Sequence, residues 1–296
     1  MRAAESPDNG AGLFGRAFVC LQHVLPQHAL SRLVLVATRI RTIWFKNALI
    51  KGFLRLYSVD MSDAQTPEPL QFASFNEFFT RALLPAARAI DAHDDVIVSP
   101  VDGTVSECGS IEQDRLLQAK GQCYALGDLL ADQPWAANFA GGSFCTIYLA
   151  PYNYHRIHMP ANGDLLSTVF VPGRLFSVNA TTAQHVPRLF ARNERVLTLF
   201  DTVFGKMAVV LVGALNVGSM ATVWAGDITP AARRRITLLP TQPLNLSKGA
   251  ELGRFNMGST VIVLFEAARA TLRSDLRPGS RVKLGEALAR VCRNPA

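Results

Sequence analysis

The chain has 296 residues, with 30 Lys and Arg against 23 Asp and Glu, a formal charge of +7. Hydrophobic residues make up 49% and charged residues only 18%, which excludes a disordered, collagen-like or heavily solvated polymer and requires a sizeable core. The length allows one large domain or two small ones.

Charge is unevenly placed. Residues 1–57 hold eight basic side chains against Glu5 and Asp8, so this segment carries +6 and the rest is nearly neutral. Such an arm points to an anionic surface, either phospholipid headgroups or nucleic acid. Five cysteines (Cys20, Cys108, Cys123, Cys145, Cys292) form an odd set without a C-x-x-C pair, so a reducing compartment is expected rather than a disulfide framework or zinc site. The first ten residues lack a basic n-region followed by an apolar run, and no cleaved secretory signal is expected.

From Leu13 to Tyr57, large apolar residues alternate with cations around a break at Pro26. The longest charge-free stretch of its central part, Leu33–Thr38, is too short to span a bilayer. Two or three amphipathic helices lying in the membrane interface are expected, with Arg39, Arg41, Lys46 and Lys51 meeting anionic lipid. On a helical wheel the cations fall on two stripes, so packing of these helices on the protein's own core is the competing reading. A polar linker at Ser62–Pro69 follows, and Ser74-Phe75-Asn76-Glu77 reads as a capping box opening a short helix with Phe78 and Phe79 on its apolar side.

From Val96 the texture changes to short β-branched runs punctuated by Gly, Pro and Asn: Val96–Val98, Phe144–Leu149, Leu166–Val171, Val196–Phe200, Met207–Leu215, Val217–Trp224 and Thr260–Phe265. The expected fold is α+β, a mostly antiparallel β core (residues 61–296) preceded by N-terminal amphipathic helices (residues 1–60). Ala208–Ala225 has 18 residues and no charge. Its valines and its interruptions at Gly213, Asn216, Gly218 and Ser219 favour two buried strands joined as a hairpin over a transmembrane helix. Pro230–Gly253 reads as a long polar loop.

Three segments could carry chemistry. Ser99-Pro100-Val101-Asp102-Gly103-Thr104 puts a carboxylate in a turn between two strands. The run from Tyr148 to Pro160 puts His155 and His158 beside Arg156 and three tyrosines at the end of a strong strand. Its two histidines lack the Cys, Asp or Glu neighbours that would complete a metal site, so proton transfer by imidazole is the better functional reading. Gly253-Arg254-Phe255-Asn256-Met257-Gly258-Ser259-Thr260 puts a serine in a tight turn directly before a strand. Each segment alone has an ordinary structural explanation. Together they supply the acid, imidazole and hydroxyl of an Asp–His–Ser relay. The G-x-S-x-G elbow and the alternating strand–helix pattern of an α/β-hydrolase are missing.

These elements, with Val171-Pro172-Gly173-x-Leu175-Phe176-Ser177-Val178-Asn179 and Val223-Trp224-Ala225-Gly226, resemble the phosphatidylserine decarboxylases of the bacterial membrane type over about residues 40–266. Two departures are visible: Met257 stands where leucine is common, and Asn153 where an aspartate often precedes the Tyr-His pair. The resemblance implies a proenzyme that cuts itself between Gly258 and Ser259, giving subunits 1–258 and 259–296 that stay together as a heterodimer open to further dimerisation. It implies that Ser259 is the nucleophile, His158 the base and Asp102 its support, and that Ser259 becomes a covalent pyruvoyl group. That group forms a Schiff base with phosphatidylserine and releases CO2 to give phosphatidylethanolamine, with His155 assisting and Tyr148 lining the pocket. It also implies peripheral attachment to the cytoplasmic face of the inner membrane. The competing readings are a membrane-associated serine acyl hydrolase using Asp102, His158 and Ser259 without self-cleavage, and a non-catalytic β module. Nucleic acid is not expected as a partner, because no aromatic stacking platform accompanies the cations.

Overall fold

Unbroken apolar runs such as Met207–Val212 and Val261–Phe265 are stable as strands only if both faces are covered, and both are buried along their whole length. The computed structural model describes residues 19–119, 121–215, 219–228, 235–240, 242–256 and 259–292. Ten strands position the site: β1 (Gly103–Ser110), β2 (Ser143–Tyr148), β3 (Arg156–His158), β4 (Gly163–Val171), β5 (Arg195–Thr202), β6 (Gly205–Val212), β7 (Met220–Thr222), β8 (Gly226–Asp227), β9 (Glu251–Phe255) and β10 (Thr260–Phe265). The main sheet is antiparallel in the order β4-β5-β6-β10-β2-β1, and a smaller one runs β8-β7-β9-β3.

β10 is the centre of the main sheet. Thr260 lies opposite Tyr148 of β2 on one side and Val212 of β6 on the other, and the pairing holds to Phe265. Within the 18-residue uncharged stretch, residues 208–212 and 220–222 are strand, and among the described residues no helix is long and apolar enough to cross a membrane. The expected hairpin is corrected: β6 joins the main sheet, whereas β7 pairs with β8 and β9 in the smaller one. Residues 216–218, where its turn was placed, lie outside the described residues. The segment 230–253 is also less loop-like than its composition suggests. Short strands at Thr237–Leu238 and Asn245–Leu246 pair with β4, and β9 begins at Glu251.

Among the described helices, three bear on the site and its approach: α1 (Gln27–Thr38), α2 (Ile43–Leu56) and α3 (Phe75–Phe79). The N-cap forms at α3 as the capping box requires, with the Glu77 N–H donating to Ser74 Oγ at 3.1 Å, while the Glu77 carboxylate accepts from the Ala73 N–H at 3.4 Å, one residue before the cap. Phe75, Phe78 and Phe79 bury with Ile50 of α2 in a small core of their own. α1 is inverted relative to an ordinary surface helix. Its buried residues are Gln27, Ser31 and Thr38, while Leu33 and Val36 are exposed. Gln27 Oε1 accepts from the Leu175 N–H at 2.9 Å and Gln22 Oε1 from the Ser177 N–H at 2.7 Å, so amide side chains dock this helical region on residues 175–177.

The cations of this region do not all face outward, which corrects the expected docking set. Lys46 is buried and donates to the carbonyl of Leu70 and to Asn47 Oδ1. Arg39 pairs with Asp227 at 2.5 Å, and Arg41 with Glu77 at 3.4 Å. Arg39 and Arg41 are exposed despite these pairs, as are Arg32, Lys51 and Arg55, so Lys46 alone of the expected set is withdrawn from the surface.

Candidate active site

Backbone pairing brings the three chemical segments to one end of the two sheets. β9 runs antiparallel to β3, with Glu251 opposite His158, and the Phe255 N–H donates to the His155 carbonyl at 3.0 Å. The His158 N–H donates to the carbonyl of Pro100 at 2.9 Å, drawing in the loop that holds Asp102. The Leu149 N–H donates to the carbonyl of Ser259 at 2.9 Å, one residue beyond the Tyr148–Thr260 pair. Two glycines make these approaches possible. A Cβ on Gly103 would lie 2.6 Å from the Tyr148 carbonyl oxygen, and one on Gly253 would strike the Ala221 carbonyl oxygen.

Ser259 is fully buried and its Oγ has no hydrogen-bond partner among the described residues. Leaving a buried hydroxyl unpaired is costly, and such an atom is free to act as a nucleophile once a base takes its proton. His155 is the second bare group. It is fully buried and stacks on Phe79 with ring centroids 4.1 Å apart. Its Nε2 contacts the carbonyls of Ala150 at 3.1 Å and Pro151 at 3.4 Å, which places the proton there, and its Nδ1 has no partner among the described residues. Burial first, then the charge of Arg81, pushes the His155 pKa down to about 3, so the ring is neutral.

His158 is fully engaged. Nδ1 contacts the Gly249 carbonyl at 2.7 Å and is therefore the protonated nitrogen, leaving Nε2 to accept from the Tyr154 hydroxyl at 3.0 Å. Burial lowers its pKa, against which the Gly249 carbonyl raises it. Asp102 is not hydrogen-bonded to it. The carboxylate is clamped by Arg88, through Nε at 3.0 Å and Nη2 at 2.7 Å, and accepts the Leu284 N–H at 2.9 Å. The three residues of the expected relay thus gather in one region without a continuous hydrogen-bond chain. Asp102 acts on His158 through space, favouring the protonated ring. Gly258 lies outside the described residues.

A cavity of about 280 Å³ adjoins this region, lined by Phe53, Tyr57, Phe79, Tyr148, Leu149 and Pro151 together with residues 177–179 and 214–215. Its wall includes Phe79, which covers His155, and Leu149, which is bonded to Ser259. The volume suits a polar headgroup and is too small for a two-chain lipid. A second, apolar groove of about 380 Å³ between α1 and α2 shares Phe53 with it.

Sequence reasoning missed Arg81, Arg88 and Tyr154 as site residues. Arg81 is buried with Nε unpartnered, and its Nη2 reaches the Tyr152 carbonyl at 3.4 Å. An arginine two residues after a buried aromatic pair was the available signal. Asn153 is explained. Its Oδ1 accepts the Ala150 N–H at 2.8 Å, closing the turn that presents the Ala150 carbonyl to His155. An aspartate could accept the same bond, and the charge is not needed for it.

One pH dependence follows. His155 is near 3 when folded and about 6.5 when unfolded, so below pH 6.5 the unfolded chain binds the extra proton. Stability is complete above that pH and falls by about 1.4 kcal/mol per unit as pH drops toward 3. Thermal unfolding of uncleaved Ser259→Ala protein across this range is expected to show the loss, and adding His155→Gln to flatten it. Parallel slopes for the two would refute the burial of a neutral ring.

The family model described as phosphatidylserine decarboxylase matches residues 75–290, and a second, described as PSD, matches residues 17–58. Phosphatidylserine decarboxylase proenzymes are similar over nearly the whole length. That of Pseudomonas aeruginosa is 51% identical over 279 residues, 93% of this chain and 96% of the relative. That of Methylococcus capsulatus is 49% identical over 281 residues, 94% and 98% of the two chains, and that of Azotobacter vinelandii 50% over 281 residues, 93% and 98%.

Proposed function

This chain belongs to the phosphatidylserine decarboxylase family, and from that membership we propose that it cuts itself between Gly258 and Ser259 and then converts phosphatidylserine to phosphatidylethanolamine and CO2. The observation that carries the self-cleavage is the fully buried Ser259 Oγ at the head of the central strand, without a hydrogen-bond partner among the described residues.

In the first step Ser259 Oγ attacks the Gly258 carbonyl carbon and gives its proton to His158 Nε2, which the Tyr154 hydroxyl releases. The C–N bond breaks, the Ser259 nitrogen takes a proton, and an ester links Gly258 to Oγ. Removal of the Ser259 Cα proton then breaks the Cβ–Oγ bond, freeing the Gly258 carboxylate and leaving dehydroalanine. Its imine tautomer adds water and loses ammonia, so residue 259 ends as a pyruvoyl group. Asp102 supports His158 by its field, and the Arg81 cation favours negative charge developing nearby.

The residues fit such a group: Ser259 is held by the Leu149 bond, and His155, stacked behind the cavity-lining Phe79, offers a neutral Nδ1 without a partner among the described residues. When formed, the pyruvoyl ketone condenses with a primary amine and accepts the electrons left as the carboxylate departs. His155 Nδ1 moves the proton at the substrate's amine nitrogen or at the carbon that CO2 leaves, while Tyr148 and Phe79 wall the headgroup from water. The 259–296 subunit stays in place because β10 is paired on both edges and Arg281–Val282 pairs with β1. The test is the purified protein itself: two co-purifying fragments, the smaller with a blocked terminus, and CO2 from carboxyl-labelled phosphatidylserine. An intact chain that releases CO2 would refute the reading.

Membrane docking is peripheral and on the cytoplasmic leaflet in this reading. It is supported by the inverted α1 and by Leu33, Val36, Ile43, Trp44 and Leu56, all more than 60% exposed on adjacent helices. An apolar surface of this kind, rimmed by Arg32, Lys51 and Arg55, suits the lipid interface, and the α1–α2 groove that meets the cavity at Phe53 gives an acyl chain a path. Ile43→Ser with Trp44→Ser is expected to weaken binding to anionic vesicles by about tenfold or more, from about 1.5–3 kcal/mol per buried side chain. Unchanged vesicle binding would remove this surface from the mechanism. Replacing Lys46 is a poor test of docking, because it leaves the Leu70 carbonyl without its partner.

A further inference from the structure

Asn256 stands two residues before Gly258, and its side chain is held from three directions. Its Oδ1 accepts from Asn76 Nδ2 of α3 at 3.0 Å. Its Nδ2 donates to Ser219 Oγ and, at 3.2 Å, to Asp227 Oδ1 of β8. Its backbone N–H donates to the Ser219 carbonyl at 2.9 Å. Ser219 Oγ in turn donates to Asp227 Oδ1 at 2.9 Å, and Asp227 Oδ2 takes the Arg39 guanidinium at 2.5 Å, at the C-terminal cap of α1. Ser219 and Asn256 are buried, whereas Arg39 and Asp227 are part-exposed at the rim.

We propose that Arg39, Asp227, Ser219 and Asn256 form a positioning clamp for self-cleavage, fixing the acyl side of the Gly258–Ser259 bond while the Leu149 bond fixes the serine side. The proposal rests on the self-cleavage reading. An N-to-O acyl shift requires Oγ to meet the preceding carbonyl carbon at close range, and the rate depends on how far both sides of that bond are immobilised beforehand. Backbone pairing alone accounts for the serine side, since β10 begins at Thr260. On the other side β9 ends at Phe255, and Asn256 is the last described residue before the bond. An asparagine there supplies an acceptor for Asn76 and a donor for Asp227 at once, which a carboxylate or an aliphatic side chain does not. The carboxylate of Asp227 accepts from both Ser219 and Asn256, and Arg39 neutralises it. The clamp also ties the apolar-outward helix α1 to the cleavage segment.

The test is the time course of fragment formation by newly synthesised full-length chains, with and without hydroxylamine, which intercepts the ester but not the peptide. Asn256→Ala and Asp227→Ala are expected to slow cleavage about tenfold or more without rescue by hydroxylamine, because the attack step itself is impaired. Arg39→Ala is expected to slow it less, Arg39→Lys to restore it, and Arg39→Ala to add nothing to Asp227→Ala. Melting temperatures of the same substitutions in the uncleaved Ser259→Ala background separate positioning from folding. Wild-type cleavage rates in Asn256→Ala and Asp227→Ala would overturn the clamp, as would full rescue by hydroxylamine or a rate loss that merely tracks melting temperature through the series. Failure of the wild-type chain to break between residues 258 and 259 would instead overturn the self-cleavage reading.

Discussion

A Ser259→Ala chain is expected to remain one 32.2 kDa polypeptide and to release CO2 from phosphatidylserine at a rate reduced by at least about 10⁴-fold, since the nucleophile and the group made from it are lost together. The substitution is unusually clean. Ser259 Oγ is buried and has no partner among the described residues, so its removal breaks no hydrogen bond to any of them and relieves an unsatisfied polar atom. Folding stability is expected to be unchanged or raised by up to about 1 kcal/mol. Loss of activity with a native melting temperature therefore reports chemistry. Continued decarboxylation by the alanine protein would place the electron sink elsewhere and end the proposal. Ester hydrolysis by an intact wild-type chain would favour the serine hydrolase instead.

The second large effect concerns the imidazoles. His158→Ala is expected to slow self-cleavage by about 10²–10⁴-fold, the usual worth of a positioned general base, and hydroxylamine will not rescue it, because the ester is never formed. Asp102→Asn is the informative companion. Asp102 is clamped by Arg88 and the Leu284 N–H rather than by His158, so its carboxamide weakens the pair with the half-buried Arg88, which keeps Asp63 as a second carboxylate partner, at a cost of about 1–3 kcal/mol. If the charge of Asp102 also supports His158, the pH at which cleavage is half-maximal will shift downward as well, since His158 loses an interaction that favours its protonated form. A stability loss without that shift assigns Asp102 to the scaffold alone. Wild-type cleavage in His158→Ala would transfer the role of base to His155, whose Nδ1 is the unoccupied one.

Much of this was legible in the chain. The N-cap of the Ser74–Glu77 box is local chemistry, and it forms where the spacing placed it. The β-branched runs are strands because covered strands need continuous apolar residues, and the Tyr154–Pro160 and Gly253–Thr260 motifs marked the site because their residue types are the reactive ones. What failed was partnership. Met207–Leu215 and Val217–Trp224 look like two arms of a hairpin, but residue pattern reports that a strand is buried and says nothing of which sheet receives it. Lys46 read as lipid-facing from charge alone, yet it is buried and held by the Leu70 carbonyl, whereas Arg39 and Arg41 stay exposed while pairing with carboxylates far along the chain.

The sequence by itself determined the element types, the apolar–cationic character of the first helices and the reactive groups, because each depends on residue identity and near neighbours. Only the tertiary structure decided which groups are bare and which are spent: Ser259 Oγ and His155 Nδ1 left without partners among the described residues, Asp102 taken by Arg88, His158 bonded through both nitrogens. The physical reason is that a hydrogen bond or ion pair is set by distances between residues remote in sequence, and those distances exist only once the sheets have closed.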